Sequence, residues 1–451
     1  MSDLVQRIER TLHALFPLNR SLTGKGIDDT FDFIKSNFFT NASIKAIKSG
    51  SNVFDWKVPD EWHISEAFVK NANGEKIIDI RDSNLHVVAY SSSVNKTVDK
   101  EELLNHLHTL PQFPKWTPYR TSYYKRDWGF CCPDELLSSD KFIPPFKVFI
   151  DSKHTNGHLK WLEILKSGES EKEILISTYA CHPSLGNDNL SGLVMALYLF
   201  EYISSLDTRY SYRLIIIPET IGAIAFLSQA NVQKIIGGMI LSCVAGPGQV
   251  SIKEGFQKDH WINKAAHMAI MNNVGPEYTI YPFEPNGSDE RQYSSPGVRI
   301  NTPSIHKSKY YEYDQYHTSA DDLDFISSEY LKETLDIHKD WIHLIESFCY
   351  PQRVMMSCEY QLGRRGLYPT LGGTLNQNAH YENKRGSHKR EFYFDEEIKI
   401  TGKHVNAFSW LMHLSDGKNS NFEISEKSGI NIKIINEAIN IMNRKKLLEI
   451  K

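Results

Sequence analysis

The stretch "EILISTYACHPSLGNDNLSG", residues 173–192, decides how the chain is read. It opens on an apolar, β-branched run of the length of a buried strand, and its end leads into the helix-like run "SGLVMALYLFEYISSL". Between the two lies a Gly- and Ser-rich turn holding His182, Asp188 and two asparagines. Strand, polar turn and helix form the repeating unit of α/β sheets, whose ligands bind outside the carboxyl ends of the strands. Function is therefore sought in this turn and in its counterparts.

Outward from it, strands are expected at "KVFID", "LKWLEIL", "YRLIIIP" and "GGMILSCV", with helices at "GAIAFLSQA" and over 327–349. These form an α/β block at 147–350. Leu4, Ile8, Leu12 and Leu15 recur at helical spacing, so residues 1–44 are read as N-terminal helices packing on that block. Residues 45–146 carry short alternating segments, prolines, Trp56, Trp62, Trp116 and Trp128, and read as an inserted β-rich domain. A Gly-rich, irregular connector is expected at 351–395. Three short helices at 396–451, with a tight turn at 428–430, match a winged-helix-like domain.

The 451 residues include 51 Lys+Arg and 55 Asp+Glu, a net charge of −4 that argues against nucleic acid as the main partner. Six cysteines without CxxC spacing read as free thiols of a reducing compartment. The amphipathic start lacks a signal-like apolar core and no window approaches the roughly 18 apolar residues of a membrane span, so the expectation is a soluble cytoplasmic protein.

Polar residues that follow the expected strands are His182 and Asp188, then Glu219 and Thr220, then Ser242 and Cys243; His317 stands in a later loop. Two histidines and one carboxylate with an open position suit catalytic zinc, and a further carboxylate must take a proton from water. His182, Asp188 and His317 fit the first role and Glu219 the second. Each also has a plainer role: a hydrogen-bonded histidine, a helix cap for Asp188, a helix N-terminal charge for Glu219. Their coincidence on one sheet edge favours the metal.

"HPSLGNDNLSG", "IIIPETIGAIAFL", "GSDERQYSSPGV" and "YHTSADDLDFIS" together resemble the zinc aminopeptidase family that includes glutamate carboxypeptidase II and glutaminyl cyclase. "RSLTGKG", "FDWKVPDEW", "RDWGFC", "GRRGLYPTLGG" and "LSDGKNS" are similar to a bacterial aminopeptidase-like group with an inserted β-rich domain and a C-terminal winged-helix domain. The resemblance implies an α/β fold with a mixed sheet flanked by helices. It makes His182 and His317 metal ligands, Asp188 the carboxylate that bridges two ions in dinuclear members, and Glu219 the general base. Thr220 and the Ser242–Cys243 pair stand where further carboxylate ligands are expected, which implies one Zn²⁺ per chain. Cys243 is read as a buried core thiol in preference to a ligand.

The resemblance also places the loop of Asp289, Glu290 and Arg291 at the substrate: Asp289 or Glu290 to receive an amine, Arg291 to bind a carboxylate. The leading expectation is a mononuclear zinc hydrolase cleaving an amide near a free amino group in a small peptide, an amino-acid amide or an amino-sugar substrate. Two other readings stand beside it: a catalytically silent binding platform, and a winged-helix regulator. The tryptophans of the insertion suit covering the cleft or holding sugar, in line with a link to surface-polysaccharide metabolism. Homo-oligomerisation is expected through the winged-helix domain.

Overall fold

The computed structural model describes residues 3–368, 392–394 and 398–451, which fall into two compact units, 1–342 and 343–451. Residues 369–391 of the expected connector lie outside the described residues. Among the described residues no helix is long and apolar enough to cross a membrane.

The first unit is built on an eight-stranded mixed sheet. Its spatial order is Ser43–Lys48, His158–Lys166, Ser211–Ile217, Glu173–Tyr179, Ile235–Ile240, Ser304–Lys307, Val250–Lys253 and Thr279–Tyr281. Glu173–Tyr179 runs parallel to both its neighbours, and the chain leaves it toward one and later returns on its other side. Such a reversal leaves a crevice at the carboxyl ends of the strands. Every residue of Glu173–Tyr179 is buried, as a central strand covered on both faces requires.

The helix Gly192–Ser204 packs against Glu173–Tyr179 and Ser211–Ile217, and ten of its thirteen residues are buried, which explains an apolar run with no polar stripe. The strands Val250–Lys253, Thr279–Tyr281 and Ser304–Lys307 and the helix Trp261–Asn273 complete the sheet beyond the elements expected from sequence.

The insertion is a separate four-stranded antiparallel sheet, ordered Lys76–Asp79, Glu61–Lys70, Phe146–Thr155 and Val94–Val98. "KVFID", drawn above into the α/β block, belongs here. Phe146, Val148 and Ile150 point into a core with Ala67, Val69, Ile78 and Phe130, and the chain passes to the large sheet only at Asn156 and Gly157. Conversely, Ser43–Lys48, at the expected start of the insertion, pairs with His158–Lys166 in the large sheet. All six cysteines are free.

In the second unit, Gly402–Leu414, Asn421–Ser428 and Ile432–Arg444 pack through Phe408, Leu411, Phe422, Ile435 and Ile439. Ser420 and Glu423 form a reciprocal cap, and Gly429 takes the left-handed conformation (φ 66°) that ends the middle helix at the expected turn. Pro351–Arg353, within the expected connector, pairs antiparallel with Leu448–Ile450.

Gly192 seats the buried helix against the sheet: a Cβ there would lie 2.4 Å from the Leu241 carbonyl oxygen and 2.3 Å from Asn189 Oδ1. Gly192→Ala should therefore lower unfolding free energy by about 1–3 kcal/mol in urea titration; an unchanged midpoint would show that the strand end yields freely.

Candidate metal centre

The turn after Glu173–Tyr179 is stapled by its two asparagines. Asn187 donates from Nδ2 to the Ser308 carbonyl (2.9 Å) and accepts from Ala245 N (3.0 Å). Asn189 donates to Thr178 Oγ1 (3.0 Å) and to the Tyr179 carbonyl (3.1 Å). Buried Asp321 accepts the backbone N–H groups of Asn187 (2.6 Å) and Asp188 (2.9 Å). Burial pushes its carboxyl up to about 7 against those two bonds. These contacts leave Asp188 no freedom to turn away from the crevice.

Asp188 Oδ1 accepts from Tyr179 OH at 2.6 Å. Its Oδ2 lies 2.9 Å from His317 Nε2 and 4.0 Å from His182 Nε2. Burial alone would raise this carboxyl, but His182, His317 and the Tyr179 hydroxyl outweigh it and hold it at about 2. The His182 imidazole is buried and lowered to about 4, so its ring stays neutral. Arg20 donates from Nε to the His182 carbonyl (3.2 Å), and burial lowers that guanidinium to about 10.

His317 sits at φ 56°, and its carbonyl accepts Tyr119 N at 2.8 Å from the insertion. Tyr316 stacks on its ring at 3.9 Å, and Tyr119 packs against both histidines.

One donor atom each from His182, Asp188 and His317 lies within 4.8 Å of the other two. Bonds of about 2.1 Å in tetrahedral geometry set zinc donors roughly 3.4 Å apart. The separations from Asp188 Oδ2 straddle that value, and a neutral His182 imidazole beside an ionised Asp188 carboxylate matches the protonation states zinc requires, so the donor set fits the ion. Cys243 is buried and outside this cluster, and Ser242 Oγ bonds to Tyr179 OH at 2.8 Å.

Glu219 lies beside the cluster, with Oε2 3.9 Å from His182 Nε2 and Oε1 accepting Ser288 Oγ at 2.8 Å. Burial, then the charges of Asp289 and Asp188, push its carboxyl well above the usual range. It lines a cavity of about 340 Å³ with His182, His317, Thr220 and Arg291, and the insertion adds Trp56, Tyr119, Tyr123 and Tyr124.

Asp289 and Glu290 do not face this cavity, contrary to the expectation that one of them receives an amine. Asp289 is buried and accepts Thr220 N at 2.7 Å. Glu290 is buried in an ion pair with Lys253, a residue of a distant strand that balances its charge. Arg291 alone of the three borders the cavity. Sequence reasoning gave no role to Arg20, Tyr119, Tyr179 and Ser288, and took Asp321 only as a carboxylate in the loop of His317. Of the first four, Ser288, next to Asp289, carried a local signal.

The chain matches a family model described as a domain of unknown function, DUF4910, over residues 9–347. It is 39% identical, across all of this chain and 97% of the other, to a Clostridium acetobutylicum protein whose name assigns it provisionally to polysaccharide biosynthesis with an aminopeptidase-like domain. A crystal structure from the same organism, named provisionally as a peptidase, superposes with a TM-score of 0.86 at 36% identity, covering 99% of this chain and 96% of that one. A zinc aminopeptidase from Bacillus subtilis shares the fold at a TM-score of 0.56 and 11% identity, over 75% of this chain and 94% of that one. The large mixed sheet flanked by helices is thus the aminopeptidase-like fold.

Because the folded imidazole of His182 has a pKa of about 4 against 6.5 when free, the unfolded state takes up that proton first as pH falls. His182 therefore weakens the metal-free fold progressively below pH 6.5 until about pH 4. In chelator-treated protein, His182→Gln should flatten the stability slope in that window by up to about 1.4 kcal/mol per pH unit. An unchanged slope in urea titrations would contradict a neutral His182.

Proposed function

The chain belongs to the DUF4910 family, and from its site we propose that it is a mononuclear zinc hydrolase acting on an amide bond of a small substrate. The observation that carries this reading is the convergence of His182, Asp188 and His317 beside Glu219 at the floor of one cavity. A zinc ion held by these three residues would supply Lewis acidity to the scissile carbonyl and to the attacking water.

Glu219 takes the proton of that water and returns it to the leaving amine. Surroundings that raise its proton affinity favour accepting the proton, and Ser288 fixes the carboxylate while it does so. Trp56, Tyr119 and Tyr123 wall the cavity, limit substrates to small ones and exclude bulk water. The reading of one ion per chain is supported by Thr220, which stands where the family resemblance expects a carboxylate ligand and whose hydroxyl accepts Arg291 Nη2 at 3.0 Å.

The provisional assignment of the C. acetobutylicum relative supports a place in polysaccharide metabolism. We read the three-helix unit as winged-helix-like and suited to self-association more than to nucleic acid, since its lysines alternate with glutamates. A cytoplasmic location fits the six free thiols.

Protein purified without chelator should contain close to one zinc per chain by elemental analysis, and His182→Ala or His317→Ala should abolish that content. Glu219→Gln should retain zinc while lowering turnover by about 100-fold or more. Zinc-free wild type would instead favour a silent binding platform, and an active Glu219→Gln would remove Glu219 from the role of base.

A further inference from the structure

The cavity beside the metal cluster contains a cation with no anion of its own. Arg291 donates from Nη2 to Thr220 Oγ1, and its Nε is buried without a partner. Among the described residues no carboxylate forms an ion pair with it. The two carboxylates whose charge reaches it form their hydrogen bonds elsewhere, Glu219 Oε1 with Ser288 and Asp289 Oδ1 with Thr220 N, while Asp289 Oδ2 is buried without a partner. Glu290, next in sequence, is neutralised by Lys253. A second guanidinium, Arg20, lies buried behind His182 and adds to the positive field.

A substrate ammonium entering this cavity would meet the like charge of Arg291, and Glu219, the carboxylate in the lining, is held by Ser288 for the proton transfer. A substrate anion would meet a guanidinium that lines the cavity and has no carboxylate ion pair, the side chain best suited to carboxylate recognition. We propose that the site selects amides bearing a carboxylate next to the scissile bond, with Arg291 as the receptor for that group. The substrate class is thus N-acyl amino acids and their relatives, in place of amides with a free amino terminus. The proposal rests on the metallohydrolase reading above. Water adds to the acyl carbon, the C–N bond breaks, and the products are a carboxylic acid and an amine that carries the Arg291-bound carboxylate.

The cavity lining also includes the apolar and aromatic side chains of Leu22, Ile221, Tyr119 and Trp56. These suit an acyl group or an apolar side chain and offer no second ion pair. The receptor and the wall together define an amphipathic substrate, anionic at one end.

The test uses the full chain carrying Glu219→Gln, loaded with zinc, and three probes in titration calorimetry: N-acetylphenylalanine, its carboxamide, and phenylalaninamide. N-acetylphenylalanine should bind at least about tenfold more tightly than the carboxamide, the scale of one charge-assisted hydrogen bond. Adding Arg291→Gln should erase that difference while Arg291→Lys keeps part of it. Thr220→Glu, which leaves the guanidinium in place and answers its charge, should erase it as well, so the outcome does not hang on one variant folding. Equal binding of acid and carboxamide, tightest binding of phenylalaninamide, or no binding of any probe overturns the proposal. So does an acid preference that survives Arg291→Gln, because the zinc would then be receiving the anion. Acid-selective, Arg291-dependent binding without hydrolysis by the wild type would overturn the catalytic reading and leave the anion site standing.

Discussion

An ionised carboxylate in a protein interior costs several kcal/mol unless its surroundings answer it, and Asp188 is such a group. The answer comes from three side chains, the Tyr179 hydroxyl from the end of the central strand, His182 from the turn beyond it and His317 from a late loop, while Asp321 fixes the backbone beneath. None of these is optional for the fold as it stands. The same contacts that make the charge tolerable also bring two imidazoles to its side. The balance of the buried charge and the candidate metal cluster are therefore one arrangement.

The parts of this arrangement that could be read in the sequence share a physical reason. His182, Asp188 and Glu219 each follow a buried, strongly apolar strand, and strand ends deliver polar residues to one rim whatever the rest of the chain does. His317 stood in a loop rich in carboxylates and needed the family resemblance beside it. Asp289 and Glu290 were misread because charge in a polar loop was equated with exposure. That equation fails when a partner is supplied from a remote element, and Lys253, on a strand of four buried residues, is such a partner. The strand Phe146–Thr155 failed for a related reason: its alternating burial marks a half-covered strand but does not say which sheet it joins. The three- and four-residue strands beyond Ile235–Ile240 are too short to show any period.

Arg20 and Tyr119 were invisible for a different reason, since their roles lie in backbone contacts. Arg20 holds the His182 carbonyl across 162 residues of sequence, and Tyr119 holds the His317 carbonyl from within the insertion. No local pattern encodes such pairings. They do account for "RSLTGKG" and for the segment around Tyr119 as more than connections.

The strap at 117–123 therefore has two duties. Its backbone pairs with the His317 loop, through Tyr119 N to the His317 carbonyl, Ser319 N to the Thr117 carbonyl and the bridge between Pro118 and Thr318. Its side chains, Tyr119 and Tyr123, form the wall of the cavity and bond to each other at 3.0 Å. Because one short segment sets both the position of a ligand and the width of the cleft, the two properties are not independent. A change that widens the cleft by moving this backbone also moves His317 relative to Asp188. The shape of the cleft is then free to vary through side chains on the strap, while the strap's backbone is constrained by its pairing with the His317 loop.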